Sequence, residues 1–169
     1  MYRLLLGIVL TAVFVAGPLV PHRWTASAES ATSSPDAVPK PAVIHAQLFY
    51  RDKGTFSRDV LADTSFRYWN ATIGEGSAEG RVSAALITVD VRALPGESLA
   101  ADTLRFEART STGLLLQRDV PLRRAYDGTL SEAFLVYGVG CERLRLTATI
   151  RRNGEKNRLE RVIPFECGE

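Results

Sequence analysis

The segment Arg143-Leu144-Arg145-Leu146-Thr147-Ala148-Thr149-Ile150 alternates between polar and apolar side chains without interruption. A period of two places the apolar side chains on one face of a β-strand and the polar side chains on the other. Antiparallel sheets that have one face in water and the other on a hydrophobic core produce this pattern. The segment therefore predicts a strand of an antiparallel sheet.

The same alternation recurs earlier in the chain, in Ile87–Val91 and in Leu104–Ala108. Turn-forming residues separate such runs, as at Pro95-Gly96, Asp127-Gly128 and Asn153-Gly154. No long helical pattern is present, and eight short strands are predicted. They span 43–50, 65–70, 82–93, 103–110, 114–121, 130–138, 143–151 and 158–166.

Seven or eight short strands with regular turns predict an all-β fold, an antiparallel β-sandwich. The alternating strands and the late pair Cys141 and Cys167 resemble an immunoglobulin-like sandwich in a general way. The sequence departs from the antibody-type pattern because Trp69 precedes both cysteines instead of lying between them. No named family is identified, so the resemblance implies a fold and no function.

The last two predicted strands form a hairpin with Asn153-Gly154-Glu155-Lys156 as a four-residue loop. Register follows from the coincidence of the apolar faces. The predicted opposite pairs are Ile150 with Leu159, Leu146 with Ile163, and Leu144 with Phe165.

Cys141 and Cys167 are the two cysteines of the chain. An even number of cysteines in an oxidising compartment favours a disulfide, whereas two cysteines without a nearby histidine make a poor metal site. A bulge near 138–140 would bring the two into register. On the chain-entropy model, the disulfide would stabilise the fold by about 3 kcal/mol.

The N-terminal segment predicts a secretory signal peptide over 1–28. Arg3 precedes an uncharged run from Leu4 to Val20, and Ala26-Ser27-Ala28 suits cleavage before Glu29. The alternative is an uncleaved membrane anchor. A Ser-, Ala- and Pro-rich disordered linker is predicted over 29–42, followed by the β-sandwich domain over 43–169.

The predicted location is the periplasm or the outside of a bacterial cell. The chain has 21 basic and 19 acidic residues, and removal of the signal peptide takes Arg3 and Arg23 and no acid. The mature protein would be nearly neutral, which argues against a nucleic-acid partner and against general attachment to anionic lipid. No second hydrophobic run predicts a membrane span in the mature chain.

His45 is the only histidine outside the signal segment, and it lies in a predicted strand. A Ser-His-Asp triad needs a histidine that accepts the nucleophile's proton, and a structural or merely exposed His45 is the favoured interpretation. One histidine and a paired cysteine set leave no zinc or copper ligands. The sequence therefore predicts no catalytic residue, no metal and no cofactor.

Aromatic residues are concentrated early in the mature chain, beside a Gly-rich acidic segment over 73–80. Tyrosine and tryptophan are enriched at binding hot spots, although packing of these rings in the core is the alternative. The aromatic cluster comprises Phe49, Tyr50, Phe56, Phe66, Tyr68 and Trp69. The predicted binding residues are Tyr50, Tyr68, Trp69, Glu75 and Glu79.

These observations predict an exported, non-enzymatic binding module of the cell envelope, with an envelope protein or glycan as partner. One alternative is a small carboxylate-dependent hydrolase of cell-wall glycans, with Asp63, Glu75 and Glu79 as its acids. Another is a structural or inhibitory protein that adds a sheet edge to a partner. The sequence does not indicate an oligomeric state.

Overall fold

The computed structural model describes residues 39–63, 69–71 and 81–167, with side chains excepted at 69–71 and 166–167. These residues form β-strands and turns, and the described ranges contain no helix. No helix that could span a membrane occurs among them. The prediction of an all-β fold with antiparallel sheets is confirmed.

Twelve strands are present in the described part of the chain. In order they are β1 Lys40–Tyr50, β2 Thr55–Asp59, β3 Trp69–Ala71, β4 Val82–Arg92, β5 Glu97–Ser98, β6 Thr103–Arg109, β7 Leu114–Pro121, β8 Arg124–Ala125, β9 Thr129–Tyr137, β10 Leu144–Arg152, β11 Glu155–Ile163 and β12 Glu166–Cys167.

Two four-stranded antiparallel sheets contain most of these strands. The first sheet has the order β2-β1-β4-β9, and the second has the order β11-β10-β6-β7. β3 and β12 form a short parallel pair, and β5 and β8 form a short antiparallel pair. An immunoglobulin-like topology is a more specific claim than two antiparallel sheets, and it stays a prediction.

Both large sheets contribute to one hydrophobic core. The apolar positions of each alternating strand point into it, as the period of two requires. Phe106 on β6 stacks on Phe134 on β9, with ring centroids 4.3 Å apart and an interplanar angle of 13°. This contact joins the inner faces of the two sheets.

β1 begins at Lys40, three residues before the predicted start of the domain at Val43. Prolines made this segment resemble a linker. Pro41 is compatible with the strand because the β1–β4 register shifts between Pro41 and Val43. Proline cannot donate to a regular ladder and is found at such irregular positions and at strand starts. Residues 40–42, which were predicted to belong to the disordered linker, therefore form the start of β1.

The predicted register of the last hairpin is wrong by two residues. Arg152 pairs with Glu155, so the loop is Asn153-Gly154 alone. Both residues have positive φ, 49° and 88°, as a type I′ turn requires. Leu146 therefore lies opposite Arg161, Ile150 opposite Asn157, and Leu144 opposite Ile163. A shift of two leaves every side chain on its original face, so the apolar pattern did not distinguish the two registers.

Candidate functional site

The outer face of the first sheet is formed by the side chains of β2, β1, β4 and β9 that alternate with the core residues. Strand pairing arranges them in rows that cross the sheet. At one end the row runs from Phe56 to Phe49, then to Ala84 and Tyr137. We call this the aromatic row. The next row contains Leu86 and Leu135.

Exposed apolar side chains are concentrated on this face. Among the described residues, seven large hydrophobic side chains are exposed, and four of them lie here. These four are Val43, Phe56, Leu135 and Tyr137. Tyr137 is the most exposed of them, at 68%. Phe56, Leu135 and Tyr137 lie in or next to the aromatic row, whereas Val43 lies opposite Asp90 at the other end of the face. Exposed apolar patches mark interaction sites in soluble proteins.

The rings at the start of the aromatic row contact each other. Phe49 and Phe56 have centroids 5.1 Å apart and an interplanar angle of 54°. Tilted packing at this separation is favourable for aromatic pairs. The pair therefore holds the short strand β2 on β1 while leaving part of Phe56 accessible.

The opposite end of the outer face is polar and carries a chain of hydrogen bonds across all four strands. His45 Nδ1 lies 2.7 Å from Asp59 Oδ2, and Nε2 lies 3.1 Å from Asp90 Oδ2, both within hydrogen-bond distance. Ser131 Oγ donates to Asp90 Oδ1 at 2.7 Å. We call these four residues the histidine network.

Strand pairing and local turns position the histidine network. Asp90 lies directly opposite Ser131, and His45 lies opposite Thr88, one alternate position away from Asp90. Asp59 ends β2, where its Oδ1 accepts the backbone N–H groups of Ala46 at 3.0 Å and Leu61 at 3.1 Å. The carboxylate is therefore fixed before it binds the imidazole.

The histidine network favours a charged imidazole. The hydrogen bond to Asp59 is the main cause that raises the pKa of His45, with Asp90 adding to it and partial burial opposing it. Burial acts to raise the pKa of Asp59, but the N–H of Ala46, His45 and the N–H of Leu61 together lower it. An imidazolium donates from both ring nitrogens, which two carboxylates require because they only accept.

This arrangement differs from that of a nucleophilic triad. Ser131 donates to Asp90 and not to His45, and both imidazole nitrogens are engaged by carboxylates. A triad instead needs the nucleophile hydrogen-bonded to the histidine. An open groove of about 340 Å³ adjoins the network, lined by His45, Gln47, Asp59, Leu86, Thr88 and Asp90. Its chemistry suits recognition through charge and hydrogen bonds.

The described residues contain no group of three or more His, Cys, Asp or Glu side chains that could hold a metal ion. No cysteine among them is a free thiol. The Cys141–Cys167 disulfide stays a prediction, because the side chain of Cys167 lies outside the described residues.

The predicted binding residues are placed as follows. Tyr50 is only 4% exposed and belongs to the core, because it ends β1 on the inner face. Tyr68, Glu75 and Glu79 lie outside the described residues, as does the side chain of Trp69, whose backbone begins β3. Phe49 and Phe56, from the same predicted aromatic cluster, come together on the outer face.

Of the three carboxylates predicted for a hydrolase, the structure describes Asp63, and that residue is held in an ion pair. Asp63 forms an ion pair with Arg58 at 2.8 Å. The other two acids of that hypothesis, Glu75 and Glu79, lie outside the described residues.

Alternation and composition did not predict a role for Leu135, Tyr137 or the partners of His45. One signal was available for the first two: Ala133-Phe134-Leu135-Val136-Tyr137 is apolar on both faces of β9. A strand with two apolar faces is typical of burial on both sides. The network had no local signal, because Asp59 and Asp90 are 14 and 45 residues away from His45.

No protein-family model, no curated protein and no solved structure matches this chain.

Proposed function

We propose that this protein is an exported, non-enzymatic binding module that docks an envelope protein on the outer face of its first sheet. One observation carries the proposal: Phe56, Leu135 and Tyr137, three of the exposed large hydrophobic side chains, lie in or next to the aromatic row of that face. Burial of aromatic side chains supplies much of the affinity at protein interfaces. The histidine network at the other end of the face supplies polar contacts at the rim.

The edge of the first sheet also favours a protein partner. β9 pairs only with β4 among the described strands, and it contains no lysine, arginine or proline. β11, an edge of the second sheet, carries Lys156, Arg158 and Arg161. Charged side chains and prolines are the usual protection of sheet edges against pairing with another chain. The single charged side chain of β9 is Glu132, so the C-terminal half of the strand, which carries the exposed Leu135 and Tyr137, lacks that protection.

The docking surface can be tested by site-specific photocrosslinking in the envelope of producing cells. A photoreactive residue would replace Tyr137 on the outer face or, as control, Tyr126, which is 82% exposed outside both large sheets. We expect one envelope protein to be captured at position 137 and not at position 126.

The same experiment includes a matched pair of charge variants. Leu135 and Leu114 are exposed to similar extents, but they lie on different sheets. We expect Leu135→Arg to abolish the crosslink from position 137 and Leu114→Arg to preserve it. Equal capture at 126 and 137, or a crosslink that survives Leu135→Arg in a folded protein, would contradict the proposal.

Export, an immunoglobulin-like arrangement and the disulfide belong to the same proposal. Two four-stranded antiparallel sheets on one core support the fold. The absence of a free thiol among the described residues supports the pairing of Cys141 with Cys167. Mass spectrometry of the mature protein should find Glu29 at its N-terminus and no alkylation without prior reduction. Two alkylated cysteines in the unreduced sample would disprove the disulfide.

A further inference from the structure

The outer face of the second sheet differs in charge from the rest of the molecule. Cross-strand pairs place its residues: Arg105 lies opposite Asp119 and Thr149, Arg145 lies opposite Val162 and Arg109, and Arg151 lies opposite Lys156. These side chains alternate with the buried Leu, Phe, Ala and Ile residues of β6 and β10.

Basic side chains predominate on this surface, which we call the basic face. The basic residues are Arg105, Arg109, Arg143, Arg145, Arg151, Lys156 and Arg158, and the acidic residues on the strands are Glu107, Asp119 and Glu160. A fourth acid, Glu142, lies at the edge of this surface, where its carboxylate accepts from Ser111 and Thr112. The whole chain has 21 basic and 19 acidic residues. The excess of positive charge on the basic face is therefore a local feature that net charge conceals.

The three acids on the strands leave some of these cations without an ion pair. Asp119 binds Arg105 through two hydrogen bonds of 2.7 Å, and Glu107 pairs with Arg109 at 3.2 Å. Glu160 accepts from both Arg145 and Arg158, at 2.9 and 2.6 Å. Arg143 and Arg151 are exposed and form no ion pair among the described residues. Arg151 nevertheless lies near Asp119, whose pKa is lowered mainly by Arg105 and also by Arg151.

Each unpaired arginine lies in its own shallow groove. One groove, of about 250 Å³, is lined by Arg105, Asp119, Thr149 and Arg151 among others. The second, of about 340 Å³, is lined by Arg109, Ser111, Arg143 and Arg145 among others. Arg143, which directly precedes β10, is eight residues from Arg151 within it, a separation of about 27 Å in an extended chain.

We propose that the basic face binds a linear polymer carrying repeated phosphate groups, which runs along β10 from one groove to the other. The planar guanidinium matches a phosphate group with two parallel hydrogen bonds, as Arg105 already does with the Asp119 carboxylate. A single small anion reaches one groove only, whereas a polymer contacts both. This inference concerns the opposite side of the fold and does not rest on the proposed protein partner.

The proposal is tested with long-chain inorganic polyphosphate and with tripolyphosphate as probes, by fluorescence or calorimetric titration of the mature protein. Tripolyphosphate is too short to contact Arg143 and Arg151 together. We expect long-chain polyphosphate to bind at least about tenfold more tightly per molecule, with an affinity that falls steeply as salt is added.

Two double variants with equal loss of charge locate the interaction. Arg143→Gln with Arg151→Gln removes the unpaired arginines of the grooves, and we expect it to weaken polyphosphate binding by at least about tenfold. Arg123→Gln with Arg124→Gln removes two exposed arginines outside the second sheet. Arg123 directly precedes β8, and Arg124 begins it. We expect the control to change binding by less than about twofold.

Three outcomes would overturn the proposal: equal affinity for the two probes, equal loss in both double variants, or no binding of polyphosphate. Vesicles containing phosphatidylglycerol form a separate arm. Vesicle binding without polyphosphate binding would replace the polymer with a lipid surface and would therefore also reject the proposal. Circular dichroism melting curves of both double variants establish that any lost binding does not come from unfolding.

Discussion

His45 connects a local protonation to the stability of the first sheet. Because its pKa is raised in the folded protein, the stabilisation is complete below the ordinary histidine pKa and is lost as pH rises through the folded pKa. The lowered pKa of Asp59 keeps that carboxylate ionised across the same range. The relevant window therefore begins near about pH 6.5 and extends upward.

We predict that His45→Gln destabilises the protein more at about pH 5.5 than at about pH 8.5, two values that bracket the ordinary histidine pKa. The side chain is 40% exposed, so the difference should stay below about 1 kcal/mol. Denaturant unfolding at both pH values measures it. In mature protein that lacks residues 1–28, His45 is the only histidine, so NMR gives its pKa directly. A pKa at or below that of free histidine would contradict the prediction.

Asp102 illustrates a second type of residue, a buried carboxylate fixed by an ion pair. Its side chain is 1% exposed, and its oxygens accept from Arg152 Nε at 2.9 Å and Arg152 Nη2 at 2.5 Å. Arg152 also donates to Glu97 at 2.5 Å. The pair links the 97–102 segment to the end of β10.

We predict that Asp102→Ala destabilises the fold by about 3 kcal/mol, because removal of one partner leaves a partly buried cation underpaired. The value is at the low end for such changes, since Arg152 keeps Glu97 and some contact with water. Asp119→Ala is the matched control, because its ion pair with Arg105 is exposed. Similar losses in the two variants, measured by chemical denaturation, would show that burial does not matter here.

At the scale of elements, the turn residues determine how strands pair. Gly154 has a φ of 88°, and a Cβ at this position would meet no atom within 4 Å. A substitution there therefore acts through the backbone alone. We predict that Gly154→Ala costs about 1–2 kcal/mol, the cost of left-handed geometry for a residue with a side chain.

The control for this prediction is Gly113→Ala in the loop between β6 and β7. Gly113 also has open space around it, but its φ is not in the left-handed region. We expect this substitution to be neutral or slightly stabilising. Thermal melts that rank the two variants in the opposite order would show that Asn153-Gly154 is not the turn that sets the hairpin register.

Alternation in the sequence predicted β4, β6, β7, β9 and β10 to within a few residues, because a strand with one wet face has a local signature. It missed β2, since Thr55–Asp59 is short and has no clear alternation. The candidate site was harder to predict from the sequence. The predicted aromatic cluster includes Phe49 and Phe56, which the structure brings together, but Tyr137 and the partners of His45 depend on which strands become neighbours.

The whole molecule depends on contact between its two sheets. Phe106 is fully buried on β6, and its ring stacks on Phe134 of the first sheet. We predict that Phe106→Ala destabilises the protein by about 3–5 kcal/mol, with the sheets unfolding together because they share one core. Hydrogen exchange should show protection falling in β4 and β10 alike.

Phe56→Ala provides the comparison for the same change at the surface. Phe56 is 45% exposed, so its removal should cost far less than that of Phe106. If Phe106→Ala lowered protection in the second sheet alone, the two sheets would be separate folding units rather than halves of one core.

The rows on the outer face of the first sheet also give that surface a direction. The aromatic row lies at one end, and Asp90 with Ser131 lies three rows away, about 20 Å along the strands. A partner with one apolar end and one cationic end matches this face in a single orientation, and rotation by half a turn would place charge on rings. The surface therefore has a polarity, and successive molecules joined through such contacts would all point in the same direction.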